Sequence, residues 1–146
     1  MIRAANSNDI PVILNLAQQL HDESSYQVFT FDKEYIEKNI KKIMESGAVF
    51  LAEKNDVVIG GFMGGITSLW HSPDKVGFDY TFFIQKEHRQ GIIALKLIYA
   101  FEHWCKAKGA KFIQLGITTG INTEGTAQFY ESLGYHVQGP LYQKRF

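Results

Sequence analysis

With one cysteine, Cys105, the chain has no second thiol with which to close an internal disulfide, and nothing in its cysteine usage suggests secretion. It also lacks an excess of either charge. Lys plus Arg and Asp plus Glu each number 15, for a formal net charge of zero. Nucleic-acid binders usually carry a clustered basic footprint. The densest basic stretches here, Lys106 to Lys111 and Lys144-Arg145, read as a solvated helix end and a solvated tail, so no nucleic-acid partner is expected. No apolar run approaches the roughly 20 residues of a membrane helix. The opening residues Met1 to Asn6 contain no apolar signal region. A cytoplasmic location away from membranes is expected. Two phosphate-loop fingerprints are missing as well: the Gly-Lys-Ser or Gly-Lys-Thr ending of nucleotide P-loops and the G-x-G-x-x-G run of dinucleotide sites.

What is present suits one packed domain over residues 1–146. Hydrophobic residues make up 45% and charged residues 21%, and eleven Phe, seven Tyr and two Trp fill a core without staples. Ile2 to Ala5 reads as a short strand. Asn6 with Asp9 three residues on resembles a capping box, with Asn8 a competing cap. Ile10, Ile13, Leu16, Ala17 and Leu20 then recur at helical spacing, with Pro11 near the helix start where a missing N–H is tolerated. His21 to Phe31 has no clean period and reads as a loop or broken helix. Asp32 caps a second helix that carries Ile36, Ile40, Ile43 and Met44 and stops at Gly47. Residues 48–52 and 57–63 are strand-like around a turn at Lys54-Asn55-Asp56.

Trp70 to Lys75 is a loop, Val76 to Ile84 a strand, and Gln85 to Gly91 a polar turn. Ile92 to Lys108 has helical period again, with Ala94, Leu97, Ile98, Phe101 and Cys105 on one face, which makes Cys105 a packing residue. A strand over Lys111 to Ile117, a helix over Thr126 to Leu133 and a last strand from Tyr135 complete the order β-α-α-β-β-β-α-β-α-β. Helices interspersed among strands imply an α/β layered domain with helices on both faces. The unit from Val76 to Ile117 should be a right-handed crossover with parallel outer strands.

The stretch Phe82 to Ile98 joins a buried strand, a short polar turn and a long helix with no acidic cap. A helix start exposes unpaired N–H groups and about half a positive charge, which suits a phosphate or diphosphate. Gly91 and Ala94 are small enough for a ligand to approach the backbone. Alone, such a glycine would serve equally to make a turn. A second segment, Asn122 to Tyr135, contains Phe129-Tyr130-Glu131-Ser132-Leu133-Gly134-Tyr135. With both segments in place, the sequence resembles the GNAT N-acetyltransferase superfamily. That family's diphosphate loop reads roughly x-R-G-x-G-x-G/A after an apolar strand end, matched by Ile84 and then Arg89 through Ala94. Its later helix carries an aromatic-Tyr-Glu-x-x-Gly-aromatic run, matched by Phe129 to Tyr135. The match is displaced at one point: Gly91 sits one place early and Ile92 occupies the middle glycine position. Either the Ile92 side chain points away from the phosphates or the loop shifts register.

The resemblance implies a GNAT-like mixed, mostly antiparallel central sheet of 6-7 strands flanked by about four helices. It implies acetyl-CoA or another short acyl-CoA as co-substrate, no metal, and direct attack of a small-molecule or peptide amine on the thioester. Phe83 and Ile84 would pair with the pantetheine arm like an added strand. Arg89, Gln90, Gly91, Ile92, Ile93 and Ala94 would hold the diphosphate, with Asn122, Phe129 and Tyr130 completing the cofactor site. Tyr130 fits the family's general acid.

An ammonium cannot attack, and a lysine-like amine titrates near about 10.4, so a base is needed. Asp79 is the first candidate, with strand alternation placing it beside Thr81 and Phe83; Glu87, His71 and His103 are others. The acceptor pocket is expected from the His21–Phe31 and Gly65–Lys75 loops. There Asp22 and Glu23 would draw a cationic amine, and Tyr26, Phe29 and Trp70 would form an apolar wall or else complete the core. A non-catalytic acyl-CoA sensor is the alternative function, and a purely structural domain a third. A homodimer through the open edge of the last strand is also expected.

Overall fold

The computed structural model describes residues 1–146. A short strand, β1 (Ile2–Ala4), leads through a 3-10 turn at Ser7–Asp9 into α1 (Ile10–Glu23). The capping box forms at that turn. Asn6 Oδ1 accepts from the Asn8 N–H at 2.9 Å, and the Asn6 N–H donates to Asp9 Oδ2 at 2.8 Å. Arg3 clamps the Asp9 carboxylate through two nitrogens, each at 2.8 Å, and donates to Glu53 of the neighbouring strand at 2.8 Å. The Arg3 hydrogen bonds hold the Asp9 carboxyl below its usual range in spite of burial. A lowered pKa stabilises the fold above the unfolded value of about 3.9, and that contribution is lost as pH falls through the native value. Asp9→Ala is therefore expected to cost roughly 1.5–3 kcal/mol at neutral pH. Urea unfolding checks this, and the difference from the unaltered chain should shrink on acidification.

Ile10, Ile13, Leu16 and Leu20 are all buried, as their spacing requires. The helix runs on to Glu23, so His21, Asp22 and Glu23 stand in its last turn rather than in the expected loop. A 3-10 turn at Ser25–Val28 follows, and then α2 (Lys33–Ser46), where Asp32 Oδ1 accepts from the Tyr35 N–H at 3.0 Å. β2 (Ala48–Lys54) and β3 (Val57–Ser68) are joined by Asn55 and Asp56 at φ 51° and 62°. Two left-handed residues suit a hairpin that follows the strand twist. β3 outruns its expected end, so Gly65 to Ser68 pair with β4 (Lys75–Ile84) and do not contribute a loop. After a 3-10 turn at Lys86–His88 come α3 (Ile93–Ala107), β5 (Phe112–Gln114) and α4 (Thr123–Ser132), which starts three residues before its expected Thr126.

The sheet order is β1-β2-β3-β4-β5, antiparallel except for the expected parallel β4–β5 pair. Phe62, Leu97, Ile98, Phe101, Cys105 and Tyr130 form the core on the α3–α4 side. Ile13, Ile40, Ile43, Val49 and Leu51 form a second core under α1 and α2. Burial pushes the Cys105 thiol up to about 11, in keeping with a packing residue.

One expected element is missing. No strand forms from Tyr135 onward, so the sheet has five strands instead of 6-7 and the element order ends at α4. The Tyr135 hydroxyl donates to Glu102 at 2.9 Å and ties the chain to α3. Beyond it Val137, Leu141, Tyr142 and Phe146 are exposed. The reason lies in β5, which pairs with β4 for three residues only and not over the whole of Lys111 to Ile117. A further strand has almost no ladder to extend. The edge expected to join a homodimer is therefore not built.

Candidate active site

The ladder between β3 and β4 pairs Met63 with Thr81 and then Gly64 with Asp79, so Tyr80 has no partner. An extra residue of this kind interrupts the two-residue alternation of a strand. Phe82 packs beside Phe62 on the α3 side. Gly77 also faces α3, since a Cβ there would meet Cys105 and Phe101. Asp79, two residues along, shares that face, whereas Phe83 packs with Leu16 and Leu20 of α1. Asp79 and Thr81 thus lie on opposite faces. The expected grouping of Asp79, Thr81 and Phe83 fails at the bulge.

Next to the bulge the sheet splits. The β4–β5 ladder ends at the Phe78–Gln114 pair, and past it lies a cleft of about 550 Å³. Asp79 to Ile84 form one wall, and Gly116 to Thr119 form the other. Arg89, Gly91 and Ala94 line it from the head of α3, and Asn122, Gly125, Thr126, Phe129 and Tyr130 from α4. Main-chain groups on the parted edge of β4 need partners from within the cleft.

The head of α3 is uncapped. No side chain bonds to it, its first turn has no acid, and its first helical bond runs from the Lys96 N–H to Ile92 O at 3.0 Å. The N–H groups of Ile93, Ala94 and Leu95 therefore lack helical acceptors. Gly91 has φ +141°, a conformation that L side chains rarely adopt, and nothing stands within 4 Å of where its Cβ would be. Ile92 is 59% exposed and, like Gln90 and Ile93, lies outside the cleft lining. The two small residues face the cleft while Ile92, one of the two isoleucines between them, is turned to solvent. Arg89 is already engaged: Nε donates to Ile84 O at 2.8 Å, Nη2 pairs with Glu23, and the guanidinium sits 5.4 Å from the Phe83 ring centre.

On α4, Asn122 adopts a left-handed φ of 43° and accepts the Gly125 N–H at 3.3 Å. Two titratable groups meet in the cleft. Burial raises the Asp79 carboxyl above its ordinary range, opposed by the Gly116 N–H that donates to it at 3.1 Å. Burial also drives the Tyr130 hydroxyl upward, and the negative charge of Asp79 adds to the rise. A carboxylate that binds a proton more readily than usual thus neighbours a phenol that keeps its own.

Of the expected acceptor residues, only Tyr26 lines the cleft. Its hydroxyl bonds Thr118 Oγ1, and Ser25 reaches the same loop through Thr119 O and Thr118 O, each at 2.7 Å. Glu23 is neutralised by Arg89, Asp22 is exposed and accepts from Gln18 at 2.8 Å, and Phe29 is exposed. Trp70 is 95% exposed, carried outward because β3 and β4 extend to Ser68 and from Lys75. Glu87, His71 and His103 do not line the cleft either. Sequence reasoning missed Tyr80, Thr81 and the Gly116–Thr119 wall. A bulge leaves no trace in hydrophobic period, and the Ser25–Thr118 clasp spans 93 positions.

A family model described as Acetyltransferase (GNAT) family matches residues 14–135. The chain belongs to the GNAT acetyltransferase family. Among solved structures, the aminoglycoside N-acetyltransferase AAC(6')-Iy in complex with CoA is 20% identical, covering 100% of this chain and 93% of that one, with TM-score 0.79. The same enzyme with the bisubstrate analog CoA-S-monomethyl-acetylneamine is 23% identical, covering 100% and 98%, with TM-score 0.78. A transcriptional regulator from Bacillus halodurans C-125 is 19% identical, covering 100% and 99%, with TM-score 0.79. At such identities the likeness is one of fold. No curated protein matches the sequence. No helix of this GNAT chain is long and apolar enough to cross a membrane, and no three His, Cys, Asp or Glu side chains converge as metal ligands would.

Proposed function

We propose that the protein is an acetyl-CoA-dependent N-acetyltransferase that passes a short acyl group to a primary amine by direct attack on the thioester. One observation carries this reading: the uncapped head of α3 opens onto the same cleft in which Asp79 and Tyr130 meet. The free N–H groups of Ile93, Ala94 and Leu95 would receive the diphosphate, each charge-assisted bond contributing roughly 1.5–3 kcal/mol. Gly91 and Ala94 keep that approach clear of side chains. The parted edge of β4 at Phe83 and Ile84 would pair with the amides of the pantetheine arm. Acetyl-CoA supplies the activated acyl group.

Asp79 takes a proton from the ammonium of the acceptor, directly or through water. Its raised pKa improves it as a base, since proton transfer is most effective near the working pH. Tyr130, held protonated, gives its hydroxyl proton to the departing thiolate. A thiol titrates near about 8.5, so this acid assists without being indispensable. Two structures of a protein with this fold hold CoA or a CoA conjugate, which supports the same use of the cleft here.

Acetyl-CoA is expected to stabilise the protein by about 2.7 kcal/mol at 100 times its dissociation constant. A melting curve reads this, and thiol release in the presence of amines reads the chemistry. No shift at saturating acetyl-CoA would sink the assignment. A shift without thiol release from any amine would point instead to a non-catalytic acyl-CoA sensor.

A further inference from the structure

A second cavity, about 300 Å³ in volume and open on one side, lies across β4 from α3, lined by α1, α2 and strands β2 to β4. Ile13, Leu16, Ala17, Phe31, Ile36 and Met63 are among its walls, and no Asp, Glu, Lys or Arg lines it. It adjoins the cleft, and Leu20, Tyr26, Tyr80, Thr81 and Phe83 line both spaces. The boundary between them is the bulged part of β4, with Asp79 on the cleft side.

Two buried side-chain polar atoms in this protein have no hydrogen-bond partner, Thr81 Oγ1 and His21 Nδ1, and both residues line this cavity. Buried polar atoms are nearly always satisfied, so an orphan calls for an explanation. His21 Nε2 lies 2.8 Å from Phe29 O. A carbonyl only accepts, so Nε2 carries a hydrogen. The nearest carboxylate oxygen, on Asp22, is 3.7 Å away and beyond hydrogen-bond reach. Both atoms are sealed from solvent, so a donor on a bound molecule reaches either of them only after a small shift of the side chains around it.

We infer that this cavity, on the N-acetyltransferase reading above, receives the acceptor, and that the acceptor is a small primary amine on an apolar body, such as an arylalkylamine. The amine end lies at Thr81, where the cavity meets the cleft and Thr81 Oγ1 accepts one of its N–H bonds. The apolar body lies among α1 and α2, with a donor on it free to reach His21. A cavity at the lower end of the usual ~300–1,000 Å³ range suits one ring and a short linker. A polycationic acceptor would bring several ammonium groups into hydrocarbon with no opposing charge, which is strongly unfavourable. The aminoglycosides bound by neighbours of this fold are thus the wrong class for this chain.

The test compares thiol release from acetyl-CoA by the full chain with 2-phenylethylamine, spermidine and neamine. The value of kcat/KM for 2-phenylethylamine should exceed the other two by about tenfold or more, the scale on which an apolar pocket discriminates. Equal or better use of spermidine or neamine overturns the inference. Ligand-observed NMR of 2-phenylethylamine without acetyl-CoA gives a readout independent of turnover, and absence of binding also overturns it. Ala17→Phe should fill the cavity and abolish that NMR signal while the acetyl-CoA melting shift persists. Thr81→Val, which keeps the side-chain shape, should lower kcat/KM for 2-phenylethylamine with the melting shift intact; unchanged kinetics count against the inference. A missing acetyl-CoA shift in the unaltered chain fails the broader reading, whereas a normal shift with polyamine preference fails this inference alone.

Discussion

Asp79→Asn is expected to lower turnover by about two to four orders of magnitude and at the same time raise the melting temperature at neutral pH. The loss follows if Asp79 is the base, because an amide cannot take the proton of the acceptor ammonium. The gain follows from burial, which raises the carboxyl pKa and so disfavours its charged form in the fold. For a raised carboxyl, the stabilising contribution is complete below the unfolded pKa of about 3.9 and disappears as pH climbs through the higher native value. At neutral pH the native state therefore bears a desolvated charge that asparagine removes. An asparagine oxygen can still accept from the Gly116 N–H, so packing and hydrogen bonding are kept.

Melting curves from acid to neutral pH should show the two proteins converging near pH 4 and below, with the variant ahead above it. Turnover of the unaltered enzyme should fall on the acid side at a pH higher than an ordinary aspartate would give. Removing the charge also relieves part of the upward push on Tyr130. A variant with full turnover removes Asp79 from the chemistry. Lower stability at neutral pH would mean that the carboxylate's hydrogen bond outweighs its desolvation.

Ala94→Trp should abolish the melting shift given by acetyl-CoA while leaving the folded state intact. Ala94 is the second residue of α3 and lines the cleft. Side chains on a helix lean toward its N-terminus, so the patch covered by a residue lies over the preceding turn. An indole at this position stands over the free N–H groups and occupies the path of a diphosphate. Leu97, Ile98 and Phe101 of the same helix are fully buried, but Ala94 is only partly so, and a large side chain has the cleft to enter. Circular dichroism and melting with and without acetyl-CoA check both halves. A retained shift would mean that the ligand is held elsewhere.

Much of this site was legible because its parts are local. The helical period from Ile92, the absent acidic cap and the small residues at 91 and 94 all sit within a few positions of each other. The structure builds from them the uncapped head of α3. The Phe129-Tyr130 pair was legible for the same reason, since one short helix carries both toward the cleft. What could not be read depends on pairing between distant segments. Asp79 was singled out, but its face was misassigned because one unpaired residue in β4 changes the parity of everything beyond it. Asp22 and Glu23 looked free to attract an amine because nothing in their neighbourhood announced Arg89, 66 positions from Glu23. The last strand looked sound from Tyr135 by composition, but a strand needs an edge to join, and β5 offers three residues.

The unpaired Tyr80 makes the site sensitive to length as well as to chemistry. Inserting one residue in β3 between Met63 and Gly64 would give Tyr80 a partner and restore strict alternation along β4, and each position between Lys75 and Asp79 would exchange faces relative to Thr81. The carboxylate would then leave the cleft, and no functional side chain would have been replaced. Divergence among chains of this kind can therefore gain or lose a cleft carboxylate through a single-codon insertion or deletion. A comparison that scores substitutions alone would pass over such an event.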